Sequence, residues 1–149
     1  MQEGAFNEWK MLEWEKTEQF AGIVLAHQHL INLRLNRFDN TRGLLGEYTN
    51  LLHRDDTNTV IAFHRKDKGG PHDDTVVIVN FGGTLHKKYE LTLPYEGTWT
   101  VRFNSCWEGY SVDFHETHFQ AAHADKDGKA TVTLAAFSAM ILSVDEKKG

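Results

Sequence analysis

Cysteine, positive charge and long apolar runs are all scarce in this sequence of 149 residues. The single cysteine, Cys106, cannot form a disulfide within the chain, which is typical of a reducing compartment. The net charge of -5 argues against nucleic acid as a partner, because phosphate binding needs clustered lysine and arginine. No apolar run approaches the roughly 20 residues of a membrane helix, and MQEGAFNEWK lacks the features of a signal peptide. We therefore expect a soluble, cytoplasmic protein that binds neither nucleic acid nor membrane.

Residues 17–38 have the periodicity of an amphipathic α-helix. Their apolar stripe recurs at steps of three and four positions and consists of Phe20, Val24, His27, Ile31, Leu35 and Phe38. Ile23 and Leu30 widen the stripe, so this helix is expected to lie against a large apolar surface. Thr17 is predicted to cap its N-terminus. The preceding segment, residues 6–14, has no clear period and is predicted to be irregular but packed.

After residue 41 the hydrophobic period changes to two, which is typical of half-buried antiparallel strands. The residues expected to face the core are Tyr89, Leu91, Leu93, Trp99, Val101, Phe103, Val132 and Leu134. Residues 59–63 and 75–81 are more uniformly apolar, as central strands of a sandwich are, and residues 138–144 are predicted as the last strand. Glycine-rich turns separate these segments. Seven or so strands predict a mainly β protein, an antiparallel β-sandwich (Greek key) preceded by one amphipathic α-helix.

The histidines and acidic residues near the C-terminus raise the question of a metal site. The candidate ligands are Asp113, His115, His118 and His123, which could gather around a transition metal if their loop folds back. The first two histidines, however, are three positions apart rather than the four of a zinc-protease helix. We therefore expect no metal and no other cofactor. DKDGK, residues 125–129, is predicted to be a hairpin turn with Gly128 at positive φ, and His64 is expected to face outward from its strand.

The order of these segments resembles a known family. The matching stretches are VIAFHR (60–65), DDTVVIVNF (73–81), YELTLPYEGTWTVRFNS (89–105) and ATVTLAAFSAMIL (130–142). They follow one another as in the C-terminal all-β domain of the α-amylase superfamily. EWKMLEW and LINLRLNRFDNTRGLLG are similar to the end of the catalytic barrel in 1,4-α-glucan branching enzymes. The resemblance implies two parts: residues 1–40 as the end of such a barrel, and residues 41–149 as the C-terminal β-sandwich domain.

The resemblance implies that this chain has no catalytic activity of its own. A (β/α)₈ barrel takes about 200 residues or more, and the family's catalytic carboxylates lie on barrel strands that precede this region. Asp39 in NRFD resembles the family's Arg-x-Asp nucleophile, but it follows an amphipathic helix and is expected to be a solvated helix end. The expected role is accessory: stabilising the catalytic barrel of a branching-enzyme-like parent in glycogen or starch metabolism. That parent would transfer glucan chains to an O6 hydroxyl.

Residues 105–120, SCWEGYSVDFHETHFQ, are rich in aromatic residues and have no period. Trp107 and Tyr110 offer flat faces of the kind that contact glucose rings, and three nearby polar residues could bond the hydroxyls: Asn104, Glu108 and Asp113. Alternatively, the same aromatic residues pack over the open end of the sandwich or face the barrel, which is the interpretation we prefer. A free-standing carbohydrate-binding module is the second functional hypothesis, and a metal-binding module is the third.

The apolar helix stripe would lack half of its cover in this chain. We expect that it either folds back on the sandwich or stays partly open. An open stripe would mark an interface with the barrel or a dimer contact.

Overall fold

The computed structural model describes residues 13–70 and 73–145, apart from the side chains of residues 115–117. Two helices, α1 (Glu15–Gln19) and α2 (Ala21–Arg34), precede the strands. The eight strands are β1 (Tyr48–Asp55), β2 (Val60–Lys66), β3 (Thr75–Asn80), β4 (His86–Thr92), β5 (Gly97–Asn104), β6 (Ala121–Ala124), β7 (Lys129–Leu134) and β8 (Ser138–Val144). Short 3₁₀ helices cover Arg42–Leu44 and Val112–Thr117. Within the described ranges, no helix is long and apolar enough to cross a membrane.

The strands form two antiparallel sheets that pack face to face. The larger sheet has the order β1-β2-β3-β8-β5-β6, and the smaller consists of β4 and β7. The chain therefore crosses between the sheets after β3, β4, β6 and β7, and three of the six strand pairings join strands that are not consecutive in the chain. This arrangement confirms the prediction of a mainly β, antiparallel fold behind an N-terminal helix.

The main core lies between the two sheets. Its largest fully buried side chains include Trp99, Ile78, Leu93, Leu134, Met140 and Leu142. The strand alternation places these residues on one face, and the predicted inward positions Tyr89, Leu91, Leu93 and Val132 are buried as expected. A second, smaller cluster lies on the opposite face of the larger sheet, where Leu33 of α2 packs with Leu44, Phe103 and Ile141. The larger sheet is thus covered by β4–β7 on one face and by α2 on the other.

The prediction that Phe103 shares a face with Trp99 and Val101 is wrong. Val101 pairs with Leu142, but Phe103 pairs with Ile141, so β5 contains a bulge between these positions. A bulge inserts one residue and shifts the following side chain to the other face of the sheet. Phe103 therefore packs toward α2 instead of into the main core.

The N-terminal helix is present, but its predicted bounds, one continuous helix over residues 17–38, are wrong. Phe20 has non-helical dihedral angles (φ -115°, ψ 37°) and separates α1 from α2. Thr17 is not an N-cap: it lies inside α1, where its hydroxyl donates to the carbonyl of Trp14. The chain leaves α2 through Asn36, which has φ 51°, and Thr41 then donates to the carbonyl of Leu33. The irregular segment predicted before residue 13 lies outside the described residues.

His64 faces the interior, contrary to the expectation of an outward orientation. It alternates with Phe63 and Arg65, so it shares the inward face of β2 with Val60 and Ala62. Its Nε2 lies 2.5 Å from the Asp74 carboxylate, which also accepts from the hydroxyl of Tyr95. Burial of this histidine is tolerated because a buried carboxylate from the next strand connection satisfies it.

The turn at residues 125–129 has the predicted positive φ at Gly128, but the hairpin prediction is wrong: β6 belongs to the larger sheet and β7 to the smaller, so the turn connects the two sheets. Gly128 has φ 77°, and the Asp125 carboxylate accepts from the backbone N–H groups of Asp127 and Lys129. A Cβ at Gly128 would also stand 2.4 Å from the carbonyl oxygen of Leu93, so the position requires glycine for two reasons.

Candidate functional site

A cleft of about 450 Å³ opens between α2, β5 and the aromatic loop that follows β5. Its aromatic and histidine lining consists of His29, Phe103, Trp107, Tyr110, Phe114, His118 and Phe119. Polar groups from Arg102, Asn104, Glu108 and Gln120 complete it. Clefts of this size that combine aromatic faces with a few polar groups are typical of small-ligand sites.

The loop is held directly against helix α2. The Tyr110 hydroxyl lies 2.7 Å from Nδ1 of His29, which makes one hydrogen bond between them. Gly22, the second residue of the helix, has no room for a side chain: a Cβ there would stand 1.9 Å from the carbonyl oxygen of Tyr110. We call these contacts of Gly22 and His29 with Tyr110 the helix–loop joint. Because of it, helix and sandwich together form the cleft.

Two ring contacts fix the position of Trp107. Its ring meets Tyr110 edge to face at 5.0 Å and lies 5.9 Å from the ring of His29. Tyr110 in turn lies 5.8 Å from Phe103, the residue that the bulge of β5 turns toward α2. Gly109 lets the loop fold tightly, since a Cβ there would stand 2.3 Å from the Trp107 ring. Trp107 nevertheless stays 40% exposed, so part of its ring faces solvent at the cleft.

Four of the five candidate carbohydrate-binding residues line this cleft: Asn104, Trp107, Glu108 and Tyr110. The side-chain oxygen Oδ1 of Asn104 accepts from the backbone N–H of Cys106, which orients the Asn104 side chain at the end of β5. Asp113 lies outside the cleft, exposed on the 3₁₀ helix, where its backbone N–H donates to the Ser111 hydroxyl. The structure thus brings four of them together and does not include the fifth.

The hydroxyl of Tyr110 stays protonated at neutral pH. Burial raises its pKa above the ordinary value, because the phenolate would lose solvation in this position. The hydroxyl can therefore act as a hydrogen-bond donor next to the exposed part of Trp107. The arrangement offers an aromatic surface beside neutral and charged hydrogen-bonding groups, and it contains no paired carboxylates of the kind that glycoside cleavage needs among its described lining residues.

The histidine loop does not gather a metal site among the residues that the structure describes. No group of three or more His, Cys, Asp or Glu side chains lies close enough to hold an ion there. His118 instead contacts the side chain of Gln120, and His123 contacts Thr98 on β5. The side chain of His115 lies outside the description. Asp39 is exposed in the turn after α2, as expected of a solvated helix end.

Sequence reasoning missed three important lining residues: His29, Phe119 and Gln120. His29 lies 81 positions from its partner Tyr110, and no local pattern connects them. It falls between the predicted stripe positions His27 and Ile31, on the side of the helix that the periodicity assigned to solvent. The contact between α2 and the loop is therefore a tertiary result.

The predicted stripe of α2 remains open to solvent. Its exposed members are Phe20, Ile23, His27, Leu30, Ile31, Leu35 and, just beyond the helix, Phe38. Leu33 is the one buried residue of α2, and it points to the sandwich. The helix thus packs through its less apolar side and presents its more apolar side outward.

Comparison with known proteins identifies the sandwich. A family model described as the alpha amylase C-terminal all-beta domain matches residues 48–145. The chain belongs to this family. The match covers β1 to β8 of the alpha-amylase C-terminal domain and confirms the resemblance of its strand order. Helices α1 and α2 lie before the matched residues.

Two curated relatives of this alpha-amylase C-terminal domain carry the name 1,4-alpha-glucan branching enzyme GlgB. The protein from Corynebacterium jeikeium (strain K411) is 26% identical over 106 residues, 67% of this chain and 14% of the relative. The protein from Synechococcus sp. (strain RCC307) is 34% identical over 114 residues, 70% of this chain and 14% of the relative. The chain therefore spans a small fraction of the length of the curated relatives it matches.

Proposed function

We propose that this chain is the non-catalytic accessory domain of a larger protein that resembles a 1,4-α-glucan branching enzyme. The family match over residues 48–145 carries this proposal, because it assigns the sandwich to the C-terminal domains of such enzymes. The two relatives that match over 14% of their own length support it, since the remaining length has room for a catalytic barrel. The role in glycogen or starch metabolism follows from their names. Residues 1–40 then belong to the barrel end, and residues 41–149 to the accessory domain.

The partner surface in this proposal is the open stripe of α2. Ile31, Leu35 and Phe38 are 56%, 52% and 59% exposed, although they are adjacent on one side of the helix and its exit. Contiguous apolar surface of this kind marks an interface more often than it marks free surface. A catalytic barrel packed on this side would enclose α2 between itself and the sandwich, and would thereby stabilise both.

A binding experiment tests this partner. The catalytic portion of the Synechococcus relative, truncated before the region aligned here, is mixed with the 149-residue chain and analysed by size-exclusion chromatography. We expect co-elution, and we expect the double variant Ile31→Glu, Leu35→Glu to abolish it, because both charges would be desolvated in the interface. The double variant Leu51→Glu, Val112→Glu, at two exposed apolar positions outside α2, is the matched control and should still bind. Absence of co-elution, or equal binding by the double variant, contradicts the proposal.

A second candidate role is contact with α-glucan at the cleft, either within the parent or as a free-standing carbohydrate-binding module. The supporting observation is the partly exposed ring of Trp107, fixed by Tyr110 and Gly109 beside polar groups. Sugar rings present apolar faces and peripheral hydroxyls, which match aromatic side chains flanked by hydrogen-bonding groups. Of the five candidates, we retain Asn104, Trp107, Glu108 and Tyr110 as contacts and treat Asp113 as peripheral.

Native gel electrophoresis through amylopectin tests the glucan contact. We expect the wild-type chain to be retarded relative to a gel without polysaccharide, and Trp107→Ala to migrate freely. Trp14→Ala is the matched control, since Trp14 is an exposed tryptophan on α1. If wild type is not retarded, or if Trp107→Ala is retarded as much as Trp14→Ala, the cleft is not a glucan site. Its aromatic residues then serve only the helix–loop joint.

A further inference from the structure

Two exposed phenylalanines, Phe81 and Phe137, lie at the same end of the larger sheet. They are 65% and 75% exposed, the first directly after β3 and the second directly before β8. The last paired residues of these strands at this end are Asn80 and Ser138, and the two phenylalanines are the next residues on either side of that pair. We call these two residues the aromatic pair.

The aromatic pair is held rigidly. Phe137 has φ 49°, a left-handed conformation that costs a bulky residue about 1 kcal/mol or more. Its N–H donates to the carbonyl of Gly82, and its ring lies against Gly83, where a Cβ would stand 3.3 Å from the ring. The Asn80 side chain ties both loops, donating to the carbonyls of Thr84 and Ala135. The fold therefore keeps the Phe137 ring exposed even though the backbone conformation of this residue is unfavourable.

The aromatic pair lies at the same end of the sheet as the cleft. β5 neighbours β8, and Ser105, just after β5, donates its N–H to the carbonyl of Ala139. Ala139 is two residues from Phe137, and Ser105 is two residues from Trp107. Alternation along β3 places Phe81 with Val77, which packs in the cluster beneath α2. Phe81 and the α2-facing Trp107 are therefore on the same side of the sheet.

The occupant that fits the aromatic pair is a sugar chain. A stable protein interface buries about 800 Å² on each partner, whereas two phenylalanine side chains supply at most about 150–250 Å² each. The surroundings are small and polar: Gly82 and Gly83 in one loop, and Thr59, whose hydroxyl lies 2.6 Å from the Cβ position of Gly82, in another. Aromatic faces bordered by hydroxyl and carbonyl groups match single pyranose rings and their hydroxyls.

We infer that the glucan contact proposed at the cleft continues across β5, β8 and β3 onto Phe81 and Phe137. This inference rests on the glucan contact proposed above and extends it. Neighbouring strands are about 4.8 Å apart, so the end of three strands spans about 10 Å between Phe81 and the start of the aromatic loop. A short oligosaccharide occupies the cleft alone, and a longer one reaches the aromatic pair as well. The domain therefore prefers long α-1,4-linked chains to short ones.

Isothermal titration of the full 149-residue chain with maltotriose and with maltoheptaose tests this inference. Wild type is expected to bind maltoheptaose at least tenfold more tightly. Phe137→Gly removes the ring and relaxes the left-handed backbone, and Phe81→Ala removes the other ring without touching that backbone. Each variant should weaken maltoheptaose binding by about tenfold and leave maltotriose binding within twofold of wild type, since only the longer sugar reaches the removed ring. Leu51→Ala, at an exposed apolar position of β1, is the control and should change neither affinity.

The outcomes separate this inference from the proposal on which it rests. Equal affinity of wild type for the two sugars, or unchanged maltoheptaose binding in both phenylalanine variants, overturns the extended site, while Trp107-dependent binding still supports the cleft. A wild-type chain that binds neither sugar overturns both. A Phe137→Tyr variant, which keeps a ring at this position, should bind maltoheptaose more tightly than maltotriose, as wild type does. That result supports the extended site.

Discussion

Replacing Gly22 with alanine tests whether α2 is an integral part of the cleft. The new Cβ would stand 1.9 Å from the carbonyl oxygen of Tyr110 and 2.8 Å from its carbonyl carbon. Both atoms are backbone, so no rotation of a side chain relieves the overlap. Helix and loop have to separate by about 1.5 Å to reach ordinary contact. That separation also breaks the 2.7 Å contact between His29 and Tyr110.

The expected result of Gly22→Ala is a loss of about 1–3 kcal/mol in the free energy of unfolding. Overpacking a close contact costs roughly 1–3 kcal/mol, and a lost neutral hydrogen bond adds about 0.5–1.5 kcal/mol. Alanine opposes this loss, because it is more favourable than glycine inside a helix by up to about 1 kcal/mol. The opposing gain is smaller here, since Gly22 is the second residue of α2. The steric cost is therefore expected to exceed the gain in helix propensity.

Urea unfolding followed by circular dichroism and tryptophan fluorescence measures this change. Gln28→Ala, at an exposed position of the same helix, is the control and should stay within about 0.5 kcal/mol of wild type. Gly22→Ala should also weaken glucan retardation, because the loop that carries Trp107 moves. A Gly22→Ala chain that is as stable as wild type, or more stable, would refute the close approach of helix and loop.

Three further predictions concern the loops. Gly109→Ala places a Cβ 2.3 Å from the movable Trp107 ring, so amylopectin retardation should fall while urea stability stays within about 0.5 kcal/mol. Asp73→Asn should cost about 1–3 kcal/mol in urea unfolding, because this buried carboxylate accepts three backbone N–H groups and an amide cannot. Hydrogen bonds from the side chain and backbone of Asn58 lower the pKa of Asp55 to about 2, from 3.8. The resulting stabilisation is complete above pH 3.8 and is lost as pH falls through 2; urea midpoints of wild type and Asp55→Asn against pH should converge there.

The sequence predicted β2, β3, β4, β5, β7 and β8, and alternation was the signal where a strand has two unlike faces. β4 and β7 alternate because one side of each meets the core and the other meets solvent, and the predicted inward residues are buried there. β1 and β6 were not predicted. Both are edge strands of the larger sheet, and β1 is mostly exposed on both faces, so burial imposes no period on it.

The residue types of the candidate site could be predicted from the sequence, but the way in which helix, strand and loop come together to form the cleft could not. An aromatic loop with Trp107 and Tyr110 is visible in the sequence, and the structure places both at the cleft. The contribution of His29 is not visible, because no local pattern marks its side of α2 as the side that packs. The sequence also does not show that Asn104 lines the cleft whereas Asp113 lies outside it. That difference depends on where β5 ends and where the 3₁₀ helix begins.

By itself, the sequence determined the antiparallel β character, the order of the strands and the family to which they belong, because alternation and turn residues are local properties. The tertiary structure alone decided which side of each element faces which neighbour. The bulge in β5 moved Phe103 from the main core to α2, the buried carboxylate of Asp74 drew His64 inward, and the close approach at Gly22 joined the helix to the loop. Each depends on contacts between residues distant in the chain, and no local period encodes them.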